Sequence, residues 1–245
     1  KYDLDMIGID TWGCDYVLLD HNDDVILPVY AYRNDRTKTY IDEVHKKISV
    51  SKLYEITGSQ FQSFNTIYQL YTDHKNNRLQ KAAQFLMLPE YFFFLLTDTK
   101  FHEYTNATTT GLIDIKTKSY SKEIIDKLGF DQDIFYKPIN PGYRTKLKSK
   151  YQKNKDSQTE VVLVATHDTA SAVHGVSIPD ESLYLSSGTW SLLGIKTQKI
   201  YLNESARLHN FSHEGGVGYH RFQKNIMGLW IIQKLQSEFN YPNIN

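Results

Sequence analysis

The sequence contains only one cysteine, Cys14, among its 245 residues. A single cysteine cannot form an internal disulfide, which favours a reducing compartment such as the cytoplasm. An excess of charge of either sign is also missing, because 28 basic and 28 acidic residues give a formal net charge of +0. No overall field therefore draws the chain toward nucleic acid or an anionic membrane, and we expect neither as a partner.

Long hydrophobic segments are absent as well. The longest apolar run, 85–96, spans about a dozen residues and is interrupted by Pro89 and Glu90, so it is too short to cross a bilayer. The first residues lack an apolar stretch behind a basic start, as a signal peptide would have. We expect a cytoplasmic protein. The strand-like start at 6–10 and the helical pattern just before 241–245 suggest that both ends lie inside a longer protein.

Apolar runs alternate with helical periods along the chain, which predicts an α/β protein. The run 161–165 is apolar and β-branched, as in the central strand of a parallel sheet. The shorter run 6–9 predicts a second buried strand. The polar turn 21–24 predicts a hairpin between 15–19 and 25–32.

Capping residues and helical spacing of apolar residues predict helices over 36–48, 51–56, 122–128 and 225–239. Asn225 is the predicted cap of the last helix, and Asp35 is that of the first. The polar segment 105–110 predicts a small loop, and the lysine-rich segment 143–160, which lacks an apolar period, predicts a surface loop. A domain boundary is expected near 179–182.

A strand that runs directly into His167 and Asp168 is the first candidate for chemistry. Ligands of open α/β sheets bind at the carboxyl ends of strands. A carboxylate at that position can accept a proton from a substrate hydroxyl, while a histidine donates a hydrogen bond to a second hydroxyl. Asp168 could also act as a helix cap, and the two roles are compatible.

Two further segments are rich in small residues. In SSGTW (186–190), backbone N–H groups could approach a phosphate and Thr189 offers a hydroxyl, although a tight turn explains the pattern equally well. The glycines of 215–218 precede Asn225 and do not form a dinucleotide-binding fingerprint. The histidines and Cys14 lack the close spacing of zinc ligands, so no metal site is predicted.

The order of these segments is more specific than any one of them. In chain order the distinctive stretches are GIDTWGCDYVLLD (8–20), LPEY (88–91), EYTNATTTGLID (103–114), ATHDTASAV (165–173), YLSSGTWSLLG (184–194) and KNIMGLWIIQ (224–233). Together they resemble the FGGY family of carbohydrate kinases, and the similarity runs nearly from end to end.

The resemblance implies an actin/hexokinase-like (RNase-H-like) architecture of two α/β domains with the active site in the cleft between them. Residues 1–180 would form the sugar-binding N-terminal domain without its first hairpin. Residues 181–245 would begin the C-terminal nucleotide-binding domain. The family's first phosphate-binding hairpin and its later adenosine-binding segment have no counterpart here, so this chain alone is expected to be inactive.

The resemblance also implies roles for particular residues. Asp168 is expected to be the catalytic base. The expected sugar contacts are Gly13, His167 and Thr169, and the expected ATP contacts are Thr189, Asn225 and Gln233. ATP and Mg²⁺ are the implied cofactors, and the Mg²⁺ ligands are expected outside this chain. The implied partners are a small sugar and ATP, and no oligomeric state is predicted.

The implied activity is ATP-dependent phosphorylation of the terminal hydroxyl of a ketose. The segments 11–13 and 186–190 favour L-rhamnulose, and xylulose and fuculose are alternatives within the family. A sugar-binding protein that has lost its phosphate loop is an alternative of another class, although it would not need to keep Asp168, Thr189 and Asn225 together. A metal-dependent phosphohydrolase built on His167 and Asp168 would require further His and Asp ligands on helices.

Overall fold

The computed structural model describes residues 4–154 and 157–239. The strands, in chain order, are β1 (Met6–Gly8), β2 (Tyr16–Leu19), β3 (Gln84–Met87), β4 (Ile113–Asp114), β5 (Ser119–Tyr120), β6 (Arg144–Lys146), β7 (Glu160–Val162), β8 (Leu183–Ser187), β9 (Trp190–Thr197), β10 (Ser212–Gly215) and β11 (His220–Met227). The α-helices are α1 (Ile41–Lys47), α2 (Val50–Thr57), α3 (Thr66–Lys75), α4 (Leu88–Thr97), α5 (Tyr104–Ala107), α6 (Lys122–Leu128), α7 (Asp168–Gly175), α8 (Glu204–Leu208) and α9 (Trp230–Glu238). Short 3₁₀ helices cover Asp35–Thr39, Leu79–Lys81, Thr108–Thr110, Gln132–Ile134 and Ser149–Tyr151.

Two sheets organise the chain. In the first, β7 is the central strand: Val161 lies opposite Ile7 of the parallel strand β1 and opposite Thr145 of the antiparallel strand β6. The second sheet is antiparallel, in the order β10-β11-β9-β8. Two-stranded ladders join β2 to β3 and β4 to β5. The prediction of an α/β protein is confirmed.

The largest hydrophobic core lies between the helices α1, α2, α3 and α6 and the ladder of β2 with β3. Leu70 of α3 and Phe85 of β3 are fully buried there, as is Ile124 of α6. Helix α3 is buried from Thr66 to Asp73. Each large apolar side chain in such a core contributes roughly 1.5–3 kcal/mol relative to exposure.

A charged cluster borders this core at Asp73 of α3, whose side chain is 1% exposed. Its carboxylate accepts hydrogen bonds from Tyr16 Oη at 2.6 Å, Arg36 Nη1 at 2.7 Å and Arg78 Nε at 2.9 Å. Arg78 also donates to the carbonyl oxygens of Leu27 and Pro28. The cluster therefore fastens the loop after β2 to α3.

Several local predictions are confirmed. Helix α2 ends at Gly58, whose φ of 63° lies in the left-handed region that glycine tolerates. Helix α6 begins after Ser121, whose hydroxyl accepts a hydrogen bond from Ile124 N, and it ends at Gly129.

Near the N-terminal end the predictions are wrong about the burial of one strand, the pairing of another and the start of the first helix. Strand β1 is not buried, since Met6 is 52% exposed on an edge strand. The hairpin of 15–32 does not form, because β2 pairs with β3 and only an isolated bridge joins Leu19 to Val25. The helix expected over 36–48 begins at Ile41, after a 3₁₀ helix capped by Asn34 rather than Asp35.

The two predicted loops also differ from the structure. Residues 105–110 lie buried in α5 and in the 3₁₀ helix Thr108–Thr110. Each threonine hydroxyl of that 3₁₀ helix donates to the carbonyl oxygen three residues earlier, which satisfies these buried polar groups. Residues 143–160 contain β6, which completes the sheet beside β7. Among the residues that the structure describes, no helix combines the length and the apolar character that a bilayer span requires.

The helix predicted from Asn225 is wrong as well. Asn225 lies in β11 opposite Leu192 of β9, and the helix begins only at Trp230. Pairing along β9 holds 220–227 extended, and this long-range interaction overrides the helical spacing of the apolar residues.

Replacing Asp73 with alanine should strongly destabilise the fold, because Arg36 and Arg78 would lose their carboxylate in a buried setting. We expect Asp73→Ala to lower the free energy of unfolding by about 3–5 kcal/mol in urea titrations of the gene product that contains this chain. Glu55→Ala is the control, since Glu55 pairs with Lys52 on the surface and should contribute less than about 1 kcal/mol. Equal losses for the two variants would contradict this account of the cluster.

Candidate active site

Segments of both main sheets line a cavity of about 650 Å³. The first sheet and its neighbours contribute the loop after β1, the 3₁₀ turn after α5 and the start of α7. The second sheet contributes the β8–β9 turn, two residues of β10 and one of β11. The corresponding residues are Trp12–Asp15, Thr108–Thr109, His167–Thr169, Ser186–Trp190, Ser212, Glu214 and Asn225.

The structure brings six of the predicted site residues together around this cavity: Gly13, His167, Asp168, Thr169, Thr189 and Asn225. Gln233 is not among the lining residues. It lies on the exposed surface of α9. The roles of all seven residues stay predictions.

The parallel register of β1 and β7 continues beyond the strands toward the cavity. Thr11 N donates to Thr166 O at 3.0 Å, and Asp168 N donates to Thr11 O at 2.8 Å. The carboxyl ends of two neighbouring parallel strands therefore meet at the cavity, which is where open α/β sheets bind ligands.

Asp168 is the first residue of α7, and its side chain is 53% exposed. Its Oδ1 accepts hydrogen bonds from Thr169 N at 2.6 Å and from Thr169 Oγ1 at 3.3 Å. The amino end of a helix also stabilises negative charge. Asp168 is thus an anionic group that remains accessible from the cavity and can accept a proton.

A buried carboxylate that the sequence analysis missed fixes the segment just before Asp168. Glu103 accepts hydrogen bonds from Thr166 N at 3.0 Å, from Thr166 Oγ1 at 2.8 Å and, as the cap of α5, from the backbone N–H groups of Thr105 and Asn106. Burial raises the pKa of Glu103, and the hydrogen bonds from Thr105 and Thr166 oppose that effect. A glutamate immediately before Y-T-N could have signalled this helix start.

His167 contacts two residues of the second sheet that the sequence analysis also missed. Its Nδ1 lies 2.9 Å from Arg221 Nη2 and 3.3 Å from Glu214 Oε2, and Arg221 Nη2 donates to the same Oε2 at 2.9 Å. Burial alone would raise the pKa of Glu214, but the positive charge of Arg221 is the largest of the effects that lower it, to about 2. No local pattern marks either residue, because they meet His167 only through the tertiary fold.

Gly13 lies close against Thr109. A Cβ on Gly13 would lie 2.7 Å from Thr109 Oγ1 and 2.9 Å from its Cβ. The same hydroxyl accepts a hydrogen bond from Cys14 N at 3.2 Å. Only glycine allows the loop after β1 to pack this closely against Thr109.

The thiol of Cys14, the next residue, is buried. Burial raises the pKa of Cys14 to about 12, so this thiol is not a nucleophile.

The opposite wall of the cavity is the β8–β9 turn. Leu229 N donates to Gly188 O at 2.9 Å, and a Cβ on Gly228 would approach that oxygen to 2.5 Å, so the start of α9 packs directly on the turn. Asn225 Oδ1 is buried without a hydrogen-bond partner among the described residues. An amide oxygen without a partner can accept a hydrogen bond from a polar ligand.

The described residues contain no group of three or more His, Cys, Asp or Glu side chains arranged to hold a metal ion. Mg²⁺ bound to a nucleotide takes many of its ligands from phosphate and water. We therefore assign no side chain of this chain to Mg²⁺.

The model of the N-terminal domain of the FGGY family of carbohydrate kinases matches residues 1–175. This chain belongs to the FGGY family of carbohydrate kinases. It is 47% identical over 241 residues to the rhamnulokinase of Halalkalibacterium halodurans, covering 97% of this chain and 51% of that protein. It is 45% identical over 239 residues to the rhamnulokinase of Oceanobacillus iheyensis, covering 96% and 51%. The chain thus spans about half the length of the curated relatives it matches.

Solved structures of sugar kinases share the fold. The ligand-bound xylulose kinase from Lactobacillus acidophilus superposes with a TM-score of 0.84 at 18% identity, covering 96% of this chain and 49% of that one. The Plasmodium falciparum glycerol kinase with ADP gives a TM-score of 0.79 at 15% identity, covering 100% and 51%. The predicted actin/hexokinase-like fold is confirmed.

Adding a methyl group at Gly13 should disturb the cavity wall, because Thr109 and the loop after β1 would have to move apart. We expect Gly13→Ala to lower the free energy of unfolding by about 1–3 kcal/mol in urea titrations. Gly175→Ala at the end of α7 is the control, since a Cβ there meets no atom within 4 Å. A Gly13→Ala protein as stable as the control would contradict the close packing.

Proposed function

We propose that the full-length protein containing this chain transfers the terminal phosphoryl group of ATP to the terminal hydroxyl of a ketose, with L-rhamnulose as the preferred sugar. The observation that carries this proposal is the position of Asp168. This accessible carboxylate lines the same cavity as Thr189 and Asn225, so a proton acceptor and a candidate nucleotide wall face one ligand space.

The arrangement suits phosphoryl transfer, in which the protein mainly positions the reactants and stabilises charge. Asp168 accepts the proton of the sugar hydroxyl as that oxygen forms a bond to the γ-phosphorus and the bond to ADP breaks. His167, Thr169 and Gly13 contact the sugar around the reacting hydroxyl. ATP supplies the phosphoryl group, and Mg²⁺ neutralises phosphate charge.

We also propose a division of the chain at about residue 180. Residues 1–180 would bind the sugar, and 181–245 would begin the nucleotide-binding domain. The family match to 1–175 and the contributions of both main sheets to the cavity support this division. Thr189 and Asn225 would contact ATP. Gln233 lies outside the cavity lining, so it would contact ATP only if the nucleotide extends along α9. The cytoplasmic location expected from the single cysteine stays a prediction.

The names of the sequence relatives support L-rhamnulose as the substrate, because they are rhamnulokinases at 45–47% identity over nearly the whole chain. Xylulose and fuculose kinases remain alternatives within the family. A metal-dependent phosphohydrolase is disfavoured by one contact: the guanidinium of Arg221 lies against His167 Nδ1, where its positive charge would repel a metal ion.

Replacing the proposed base should slow catalysis without abolishing sugar binding. We expect Asp168→Asn in the full-length protein to lower kcat by about 10²–10⁴-fold, because the hydroxyl proton loses its acceptor. Calorimetric titration with the ketose should still detect binding. Asp180→Asn, an exposed carboxylate outside the cavity lining, is the control and should keep its activity. A kcat of Asp168→Asn within about tenfold of wild type would contradict the assignment of the base.

The sugar itself can be identified by calorimetry and a coupled ADP assay on the full-length protein, with L-rhamnulose, L-xylulose and L-fuculose compared side by side. We expect L-rhamnulose to bind saturably and to give the highest kcat/KM with Mg-ATP. A higher kcat/KM for another ketose would show that this ketose, and not L-rhamnulose, is the preferred substrate. Saturable binding without phosphorylation of any ketose would support the sugar-binding protein instead.

A further inference from the structure

The guanidinium of Arg221 joins His167 to the second sheet. Its Nη2 contacts His167 Nδ1 and Glu214 Oε2, both at 2.9 Å, and its Nε donates to Gly215 O at 3.0 Å. The side chain is 0% exposed. Its Nη1 also donates to Gln223 Oε1 at 3.4 Å. A buried cation held by these four partners cannot turn away without leaving its charge uncompensated, so the contacts are fixed by the fold.

The contact with Arg221 determines which nitrogen of His167 carries the proton. A guanidinium donates hydrogen bonds and accepts none. Since Arg221 Nη2 is closer to Nδ1 than Glu214 Oε2 is, Nδ1 acts as an acceptor and is unprotonated. The proton of the neutral imidazole is then on Nε2. A doubly protonated ring would place two positive groups in contact inside a buried cluster.

The remaining nitrogen faces the proposed base. His167 Nε2 lies 3.5 Å from Asp168 Oδ1, which is too long for a good hydrogen bond between them. The Nε2–H group therefore stays available to a ligand hydroxyl beside the carboxylate that accepts a proton. A donor and an acceptor next to each other are what two neighbouring sugar hydroxyls require.

We propose that Arg221, with Glu214 as its counter-ion, is a positioning residue that holds His167 in the neutral form with its proton on Nε2. The consequence for catalysis rests on the proposed function, because it assumes that His167 donates to the sugar. The protonation pattern of the ring does not rest on it. The two parts can therefore be tested separately.

The protonation of the two ring nitrogens of His167 can be measured by ¹⁵N NMR of the full-length protein with labelled histidine side chains. The His167 signals are assigned by their loss in His167→Gln. At neutral pH we expect an unprotonated Nδ1 and a protonated Nε2. In Arg221→Met the proton should move to Nδ1, where Glu214 can accept it, and Arg221→Lys should retain the wild-type pattern because it keeps a cationic donor. A wild-type ring protonated on Nδ1, or on both nitrogens, overturns the proposal whether or not any variant folds.

The kinetic consequence is a loss in kcat rather than in ATP affinity. We expect Arg221→Met to lower kcat with the ketose by at least about tenfold, with the KM for ATP within about twofold, and Arg221→Lys to recover part of the loss. Unchanged kcat together with an unchanged His167 signal in Arg221→Met overturns the proposal.

A matched control separates positioning from stability. Arg36 is another largely buried guanidinium paired with a carboxylate, and it lies outside the cavity lining. Arg36→Met should lower the melting temperature and leave the His167 signals unchanged. If Arg221→Met does the same and nothing more, Arg221 is only structural and the proposal fails. If the wild type phosphorylates no ketose, the proposed function fails, while the NMR result still decides the state of His167.

Discussion

The hydrogen bonds of the buried Glu103 carboxylate are the interactions on which the proposed sugar side of the cavity depends. It holds Thr166 through both backbone and hydroxyl, and so fixes the chain just before His167 and Asp168. The same carboxylate caps α5, which leads into the turn where Thr109 supports Gly13. One side chain therefore connects the segment before α7 with the turn that supports the loop after β1. A neutral or shorter residue at 103 would leave several buried donors unpaired.

The two walls of the cavity are linked through strand β11. Arg221, Gln223 and Asn225 alternate along this strand, so their side chains share one face. Arg221 contacts His167 on the proposed sugar side, whereas Asn225 lines the proposed nucleotide side. One strand therefore supplies a residue to each of the two proposed walls.

The sequence predicted those parts of the site that local chemistry determines. His167 and Asp168, the glycine at 13 and the small residues before Thr189 could all be found from spacing and the family resemblance, although β7 ends at Val162 and not directly before His167 as predicted. Arg221 and Glu214 could not be found in this way. They contact His167 from about 50 positions away along the chain, and no local sequence pattern indicates such a long-range contact. Asn225 was placed in a helix for a related reason: apolar spacing cannot reveal pairing with β9.

Three carboxylates line the cavity, and their environments separate their possible roles. Asp15 is buried, and its oxygens accept hydrogen bonds from Trp12 Nε1 and Tyr32 N. It therefore stabilises the wall of the cavity. Glu214 is paired with Arg221, and a pKa of about 2 makes it too weak a base to take a hydroxyl proton at neutral pH. Asp168 alone among the three is largely exposed to the ligand space. Its proposed role as the base therefore has support from the environments of all three groups, as well as from its position at the start of α7.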